Sequence, residues 1–226
     1  MADLKRLQRR LGHEFKDETL LVQSLTHRSA GSRNNERLEF LGDAILGFEI
    51  AENLCRQHPN ASEGELSRAR AQLVKRETLA DVARKLELGE YLILGTGELR
   101  SGGQTRDSIL SDAVEAIIAA VFMDADMEVA RAFVRRILKD QLASISPEAQ
   151  PKDSKTQLQE YLQARGKSLP VYEVVSVDGS AHEQQFVVEC RVESLGLMEK
   201  GQGSSRRKAE QQAASKVLAQ IQGGHS

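Results

Sequence analysis

The chain has 226 residues, 40% hydrophobic and 28% charged, which suits one large soluble domain or two modest ones. No apolar run approaches the roughly 20 residues that span a bilayer, the opening Met1-Ala2-Asp3-Leu4-Lys5-Arg6 lacks the apolar stretch of a secretory signal, and Cys55 and Cys190 are too distant for a disulfide framework or a cysteine metal site. A net charge of -2 excludes the broadly basic footprint of a generic nucleic-acid binder. A reducing cytoplasm is the expected setting, and any nucleic-acid affinity must come from a local patch.

In chain order, Leu4, Leu7 and Leu11 are spaced for one helical stripe, and Leu20, Leu21 and Leu25 for a second. Asn34-Asn35 offers the start of a long helix running towards Cys55, with His58-Pro59-Asn60 as the loop after it. Leu79, Val82, Ala83 and Leu86 form a third stripe. Gly95, Gly97, Gly102 and Gly103 interrupt the pattern, and helical spacing resumes near Asp107. Nothing in this stretch alternates as a strand does, so residues 1–145 read as an all-α domain.

Residues 146–152, beginning Ser146-Pro147-Glu148-Ala149-Gln150-Pro151, read as a linker. Ser154 and Gln157 fit a capping box ahead of a helix carrying Leu158, Tyr161 and Leu162. Val171-Tyr172-Glu173-Val174-Val175 reads as a strand. Phe186, Val188, Cys190 and Val192 alternate with polar residues at the strand period of two, and a third short strand fits Leu197-Met198-Glu199. Ala209, Ala213 and Val217 close the chain with a helix. The second domain, residues 153–226, is therefore α+β in the order α-β-β-β-α.

Two helices carry acids that a plain core helix would not. Glu36, Glu39 and Asp43 are spaced i, i+3, i+7 on one face, with Leu38, Leu41 and Ile45 opposite. Asp112 and Glu115 are spaced i, i+3 within a segment that is otherwise nearly all apolar from Ala113 to Phe122. Such a helix is normally buried, and a carboxylate inside it needs a partner. Clustered hard oxygen ligands suit Mg²⁺, with Mn²⁺ as a substitute, and two such ions could hydrolyse a phosphodiester. The plainer alternative is a set of solvated faces or ion pairs with Arg37 and Arg106, and spacing alone does not decide between them. The five histidines include no pair at acid-base spacing, which argues against cleavage through a ribose 2′-hydroxyl.

The nine-residue run Asn35-Glu36-Arg37-Leu38-Glu39-Phe40-Leu41-Gly42-Asp43 resembles the signature stretch of the bacterial ribonuclease III family. Leu25-Thr26-His27-Arg28-Ser29 and Ser108-Ile109-Leu110-Ser111-Asp112-Ala113-Val114-Glu115-Ala116 match its pattern as well. The resemblance covers nearly the whole chain and ends in a double-stranded-RNA-binding domain. It implies that Glu39, Asp43, Asp112 and Glu115 hold catalytic metal, with Asp43 and Glu115 at the positions most often treated as catalytic. Glu36 and Glu63 match supporting acids, though Glu65 is easily confused with Glu63. It further implies a homodimer with Phe40 packed into the partner, where the residue alone would equally fit a core phenylalanine. The implied activity is cleavage of both strands of duplex RNA to 5′-phosphates with short 3′ overhangs, on precursor ribosomal RNA among other structured transcripts. No small-molecule cofactor and no membrane partner are expected.

In the second domain Thr156, Gln159, Glu160 and Gln163 share one polar face, which suits ribose contacts across a minor groove or, equally, plain solvation. Arg206, Arg207 and Lys208 at the start of the last helix form a phosphate clamp by composition. The stretch Gly179-Ser180-Ala181-His182 matches the loop whose histidine, His182, enters a minor groove. Glu210 stands where many such domains carry lysine, a departure expected to weaken phosphate binding. Two other function classes compete: a protein that holds duplex RNA without cutting it, which a missing carboxylate would favour, and a DNA nuclease, which the second domain argues against.

Overall fold

The computed structural model describes residues 3–147, 153–179 and 184–223. Its chain separates into two compact units, residues 1–150 and 151–226. Of the expected linker, residues 148–152 lie outside the described residues.

The first unit is helical: α1 (Leu4–Leu11), α2 (Glu18–Leu25), α3 (Glu36–Gln57), α4 (Glu63–Val74), α5 (Arg76–Lys85), α6 (Thr96–Arg100), α7 (Asp107–Asp124), α8 (Met127–Ile137) and α9 (Lys139–Ser144). The apolar stripes read from the sequence are its core. Leu7, Leu11, Leu21, Leu25, Leu79 and Ala83 are fully buried beside Leu46 and Ile50 of α3 and Ile118 and Val121 of α7. Each buried leucine or isoleucine contributes roughly 1.5–3 kcal/mol. Helix α7 is wrapped on nearly every side, which explains its almost uninterrupted run of apolar residues.

Helix α4 is an addition to the sequence reading. Its start is fixed by a capping box in which the Ser62 N–H and Oγ both donate to Glu65, at 2.8 and 2.7 Å. The short α6 lies inside the glycine-rich break, where Gly95 and Gly102–Gly103 bound a single turn-and-a-half of helix.

Helices α3 and α7 form the central pair, and Gly42 is where they touch. A Cβ at Gly42 would overlap the Glu115 carbonyl oxygen and stand 2.5 Å from its carbon. The contact therefore requires glycine and fixes the height of Glu115 against α3. A second tie joins α3 to α8. Glu49, fully buried, accepts from Arg131 Nε at 2.6 Å and from an Arg135 Nη at 2.8 Å, while Arg131 also donates to Glu52. Replacing Glu49 with alanine takes from Arg135 its carboxylate partner and leaves Arg131, at the helix interface, only Glu52 and Glu128. That change is expected to destabilise the helical unit by about 3 kcal/mol, read as a lower urea midpoint, because breaking a buried pair leaves uncompensated charge.

The second unit runs α10 (Ser154–Gln163), β1 (Val171–Asp178), β2 (Gln185–Val192), β3 (Leu197–Gly203), α11 (Arg206–Gly223), with an antiparallel sheet in the order β1-β2-β3. Val188, Cys190 and Val192 are all buried as their alternation requires, and Cys190 and Val192 cluster with Leu158 and Leu162 of α10 and Ala213 and Val217 of α11. A bulge between Val174 and Ser176 lets β1 shift register. Gly201 admits α11 against β3: a Cβ there would overlap the Ala209 carbonyl oxygen and the Ala213 nitrogen.

The capping expectation for α10 needs correction. Asp153 is the cap, its carboxylate accepting from the Thr156 N–H and Oγ1, both at 2.9 Å. A carboxylate accepts more strongly than a serine hydroxyl, so the helix starts one residue earlier and Ser154 becomes its first residue.

Candidate active site and nucleic-acid interface

The acids of α3 and α7 meet across the Gly42 contact. Carboxylate oxygens of Glu39, Asp112 and Glu115 lie within 4.8 Å of one another. Beside them opens a cleft of about 550 Å³, lined by His27, Arg28, Ser29, Asn35, Glu36, Glu39, Glu98, Arg106, Ser108, Ile109 and Asp112.

Their electrostatics reflect crowding. Glu115 is pushed up to about 8, first by burial and then by the charges of Asp43, Asp112 and Glu39. Burial and the charge of Asp112 raise Glu39. Burial also raises Asp112, against the opposing hydrogen bond from Ser111. Without a counter-charge, three acids in this space resist simultaneous ionisation.

The other acids named from the sequence stand elsewhere. Asp43, one turn beyond Glu39, is exposed and outside the tight trio, although its charge acts on Glu115. Glu36 lies on the cleft rim, 3.7 Å from an Arg28 Nη and accepting from Asn34 Nδ2 at 3.1 Å. Glu63 opens α4 and accepts from Ser67 Oγ at 2.6 Å, in a separate cleft with Cys55 and Arg70. In a single chain it does not join the trio. Of the two arginines weighed as partners for the acids, Arg106 pairs with Glu98 at 2.5 Å, not with Asp112 or Glu115. The cleft also gathers residues to which the sequence patterns assign no site role, His27, Ser29 and Asn35 among them. Asn35 is 2% exposed, and its Nδ2 has no hydrogen-bond partner.

Phe40 is 81% exposed. The core-phenylalanine alternative therefore fails for the single chain. Phe48, Met123 and Met127 are exposed on the same unit, where a soluble surface ordinarily carries polar side chains.

On the second unit, Arg206, Arg207 and Lys208 are all exposed at the start of α11. Glu210 is 8% exposed and pairs with Arg206 Nε at 2.9 Å and Lys155 Nζ at 2.6 Å. These two cations hold its carboxyl below the usual range against the cost of burial. The acid is thus an internal tie between α10 and α11, not a bare negative charge facing solvent. Gln159, Glu160 and Gln163 are exposed along α10, while Thr156 is half-buried and spends its hydroxyl on Asp153. His182 lies outside the described residues.

Residues 17–142 match the family model described as Ribonuclease-III-like, and residues 154–221 match the double-stranded RNA binding motif. Ribonuclease 3 of Actinobacillus pleuropneumoniae serotype 3 (strain JL03) is 56% identical over 218 residues, spanning 96% of this chain and 98% of that protein. The chain belongs to the ribonuclease III family. Ribonuclease 3 of Vibrio vulnificus (strain YJ016) is 52% identical over 223 residues, 99% of each chain. The crystal structure of the nuclease domain of Campylobacter jejuni ribonuclease III superposes with a TM-score of 0.62 at 41% identity, covering 65% of this chain and 100% of that one. The all-α first unit is accordingly a ribonuclease III nuclease domain, and the α-β-β-β-α unit a double-stranded-RNA-binding domain. The protein is an endoribonuclease of the ribonuclease III type. Among the described residues no helix is long and apolar enough to cross a membrane.

Proposed function

We propose that this ribonuclease III cuts both strands of duplex RNA as a divalent-metal-dependent homodimer, leaving 5′-phosphates and short 3′ overhangs. Mg²⁺ is the resident ion on this reading and Mn²⁺ its substitute. The observation that carries it is the convergence of Glu39, Asp112 and Glu115 within 4.8 Å, on a chain that also carries a duplex-RNA-binding domain. Carboxylate oxygens gathered this closely would suit a hard divalent cation, which takes oxygen ligands. Their mutual repulsion favours a divalent cation at this place.

Glu39, Asp112 and Glu115 would hold the ion, with Asp43 reaching in from the next turn. When bound, the metal supplies an activated water and neutralises charge on the phosphodiester. At neutral pH the free carboxyl of Glu115 retains its proton and must release it as the site fills. Glu36 and Glu63 keep supporting roles. Glu36 sets Arg28 at the rim, while Glu63, remote in one chain, would act from a partner protomer.

Dimerisation rests on Phe40, whose exposure leaves a large apolar side chain to be covered. A second solved form of the Campylobacter jejuni nuclease domain is described as flexible in the region involved in dimer formation. We place the enzyme in the cytoplasm, acting on ribosomal RNA precursors and other structured transcripts.

RNA is held by Gln159, Glu160 and Gln163, with Thr156, His182, Arg206, Arg207 and Lys208 as further contacts. Replacing Arg206 and Arg207 together with alanine should weaken duplex binding at every sequence. It should also lower the slope of log affinity against log salt by about 1 for each phosphate that the protein no longer neutralises. Titrations at several salt concentrations measure it, and an unchanged slope refutes the clamp.

The deciding experiment is incubation of the purified chain with a labelled perfect RNA duplex, in Mg²⁺ and in EDTA. Internal cuts on both strands with 5′-phosphates, present only with metal, are expected. Tight binding without cleavage, or equal cutting of duplex DNA, overturns the reading.

A further inference from the structure

None of the carboxylates comes from Leu25–Ser29, yet this stretch forms a wall of the acidic cleft through His27, Arg28 and Ser29. Backbone bonds fix it in place. The His27 N–H donates to the Ile93 carbonyl at 3.0 Å, and the Ile93 N–H to the Leu25 carbonyl at 2.9 Å. The Gly95 N–H donates to Ser29 Oγ at 2.9 Å. Ser29 Oγ in turn lies 2.8 Å from His27 Nδ1, and the Ser29 N–H lies 3.2 Å from the same nitrogen.

A backbone N–H can only donate. Ser29 N–H therefore makes His27 Nδ1 an acceptor. The Gly95 N–H makes Ser29 Oγ an acceptor too, which leaves the hydroxyl proton to point at Nδ1. A neutral imidazole with two donors aimed at Nδ1 carries its own proton on Nε2. Among the described residues that nitrogen has no hydrogen-bond partner, and the ring is half-buried in the cleft wall. The nitrogen left over is thus an N–H donor, unfit to act as a base. Arg28 and Arg106 line the same cleft. The cleft so offers carboxylates and donors together, and a metal-bound phosphodiester requires both.

We propose that His27 contacts the substrate, its Nε2–H donating to a non-bridging phosphate oxygen of the strand being cut, with Ser29 as the positioning residue that fixes its tautomer. The bond strengthens as charge gathers on the phosphate in the transition state. This rests on the metal-dependent cleavage proposed above, whose own failure appears separately, as a wild-type chain that does not cut unmodified duplex.

The test uses the full chain with His27→Ala, His27→Gln and His27→Asn, on duplexes carrying one phosphorothioate at the cut phosphate, each stereoisomer apart. His27→Ala should slow single-turnover cleavage in saturating Mg²⁺ on the order of 10- to 100-fold, the loss of a hydrogen bond to a charged group. Mn²⁺ binding to the RNA-free chain, followed by electron paramagnetic resonance, should stay at the wild-type level. One sulfur isomer should slow the wild type yet add nothing in His27→Ala. His27→Gln, whose Nε2 reaches the place of the imidazole Nε2, should recover rate; His27→Asn, whose shorter amide does not, should not. Wild-type rates in His27→Ala overturn the proposal. So does a parallel loss of Mn²⁺ binding, which would make His27 a metal-positioning residue, or a His27→Ala chain in which both sulfur isomers still slow cleavage as much as they do in the wild type. If His27→Ala does not fold, equal rates for the glutamine and asparagine chains overturn it.

Discussion

Replacing Glu115 with glutamine is expected to slow cleavage on the order of 1,000-fold while raising the thermal stability of the metal-free protein. The two effects have one cause. Glu115 sits in the most apolar helix of the chain, facing three other acids, and its carboxyl is pushed up to about 8. An unfolded chain would ionise it near the ordinary value of about 4.3. Between those values the folded state binds a proton that the unfolded state has lost, so metal-free stability falls as pH rises through the window and levels off above it. Glutamine cannot ionise and removes that slope. Glu39 and Asp112 are raised as well, so a shallower slope remains. Melting curves without metal should therefore coincide for wild type and variant near pH 4.5 and diverge towards pH 8, with the variant higher.

Cleavage goes the other way. Glutamine keeps the shape but loses an anionic ligand, and the loss of one such group is expected to slow cutting on the order of 1,000-fold. Added Mg²⁺ should raise the melting temperature of the wild type through binding to the folded state, and that of the variant far less. Duplex RNA binding should survive, because the second domain is untouched. A variant that melts lower than wild type at pH 8 without metal would mean that the carboxylate is already compensated by a protein partner.

Much of this could be read from the chain, for identifiable reasons. The spacing of Glu36, Glu39 and Asp43 is a property of one helix, and so is that of Asp112 and Glu115. Which of them converge is a property of two helices. The crossing of α3 and α7 at Gly42 selects Glu39, Asp112 and Glu115, and leaves Glu36 on the rim and Asp43 outside. No periodicity within one segment contains that selection. Glu49 escaped for a similar reason: its partners Arg131 and Arg135 lie some eighty residues along the chain, so it reads as one more surface acid. The cleft wall was hidden differently. His27, Asn35 and Arg106 come from turns and helix starts, where side-chain direction follows from hydrogen bonds across distant loops. In the second domain the alternation of Val188, Cys190 and Val192 was decisive because one face of the sheet is covered by helices. The capping assignment slipped by one residue because Asp153 and Ser154 are both good caps, and the stronger acceptor won.

Gly42→Ala should cost activity out of proportion to the single methyl group that it adds. Glycine to alanine within a helix normally stabilises by roughly 0.5–1 kcal/mol, since the unfolded chain loses freedom. At Gly42 the new Cβ meets the backbone of α7 at Glu115, which cannot rotate aside as a side chain would. The helices must separate, and overpacking of this kind costs about 1–3 kcal/mol, so the net change is destabilising. The larger consequence is at the site. The clash falls on the residue whose carboxylate completes the trio, so relief of the strain carries Glu115 away from Glu39. A displacement on the order of 1 Å at a catalytic group lowers rates roughly 100-fold. The expected result is a folded chain that binds duplex RNA normally, binds Mn²⁺ more weakly and cuts about 100-fold more slowly. Gly64→Ala is the control, because a Cβ there meets only the far end of the Arg68 side chain, at 3.3 Å. It should leave cleavage unchanged. If Gly42→Ala cuts as fast as Gly64→Ala, the crossing of α3 and α7 tolerates a wider gap than the geometry allows, and the height of Glu115 against α3 is not what assembles the acids.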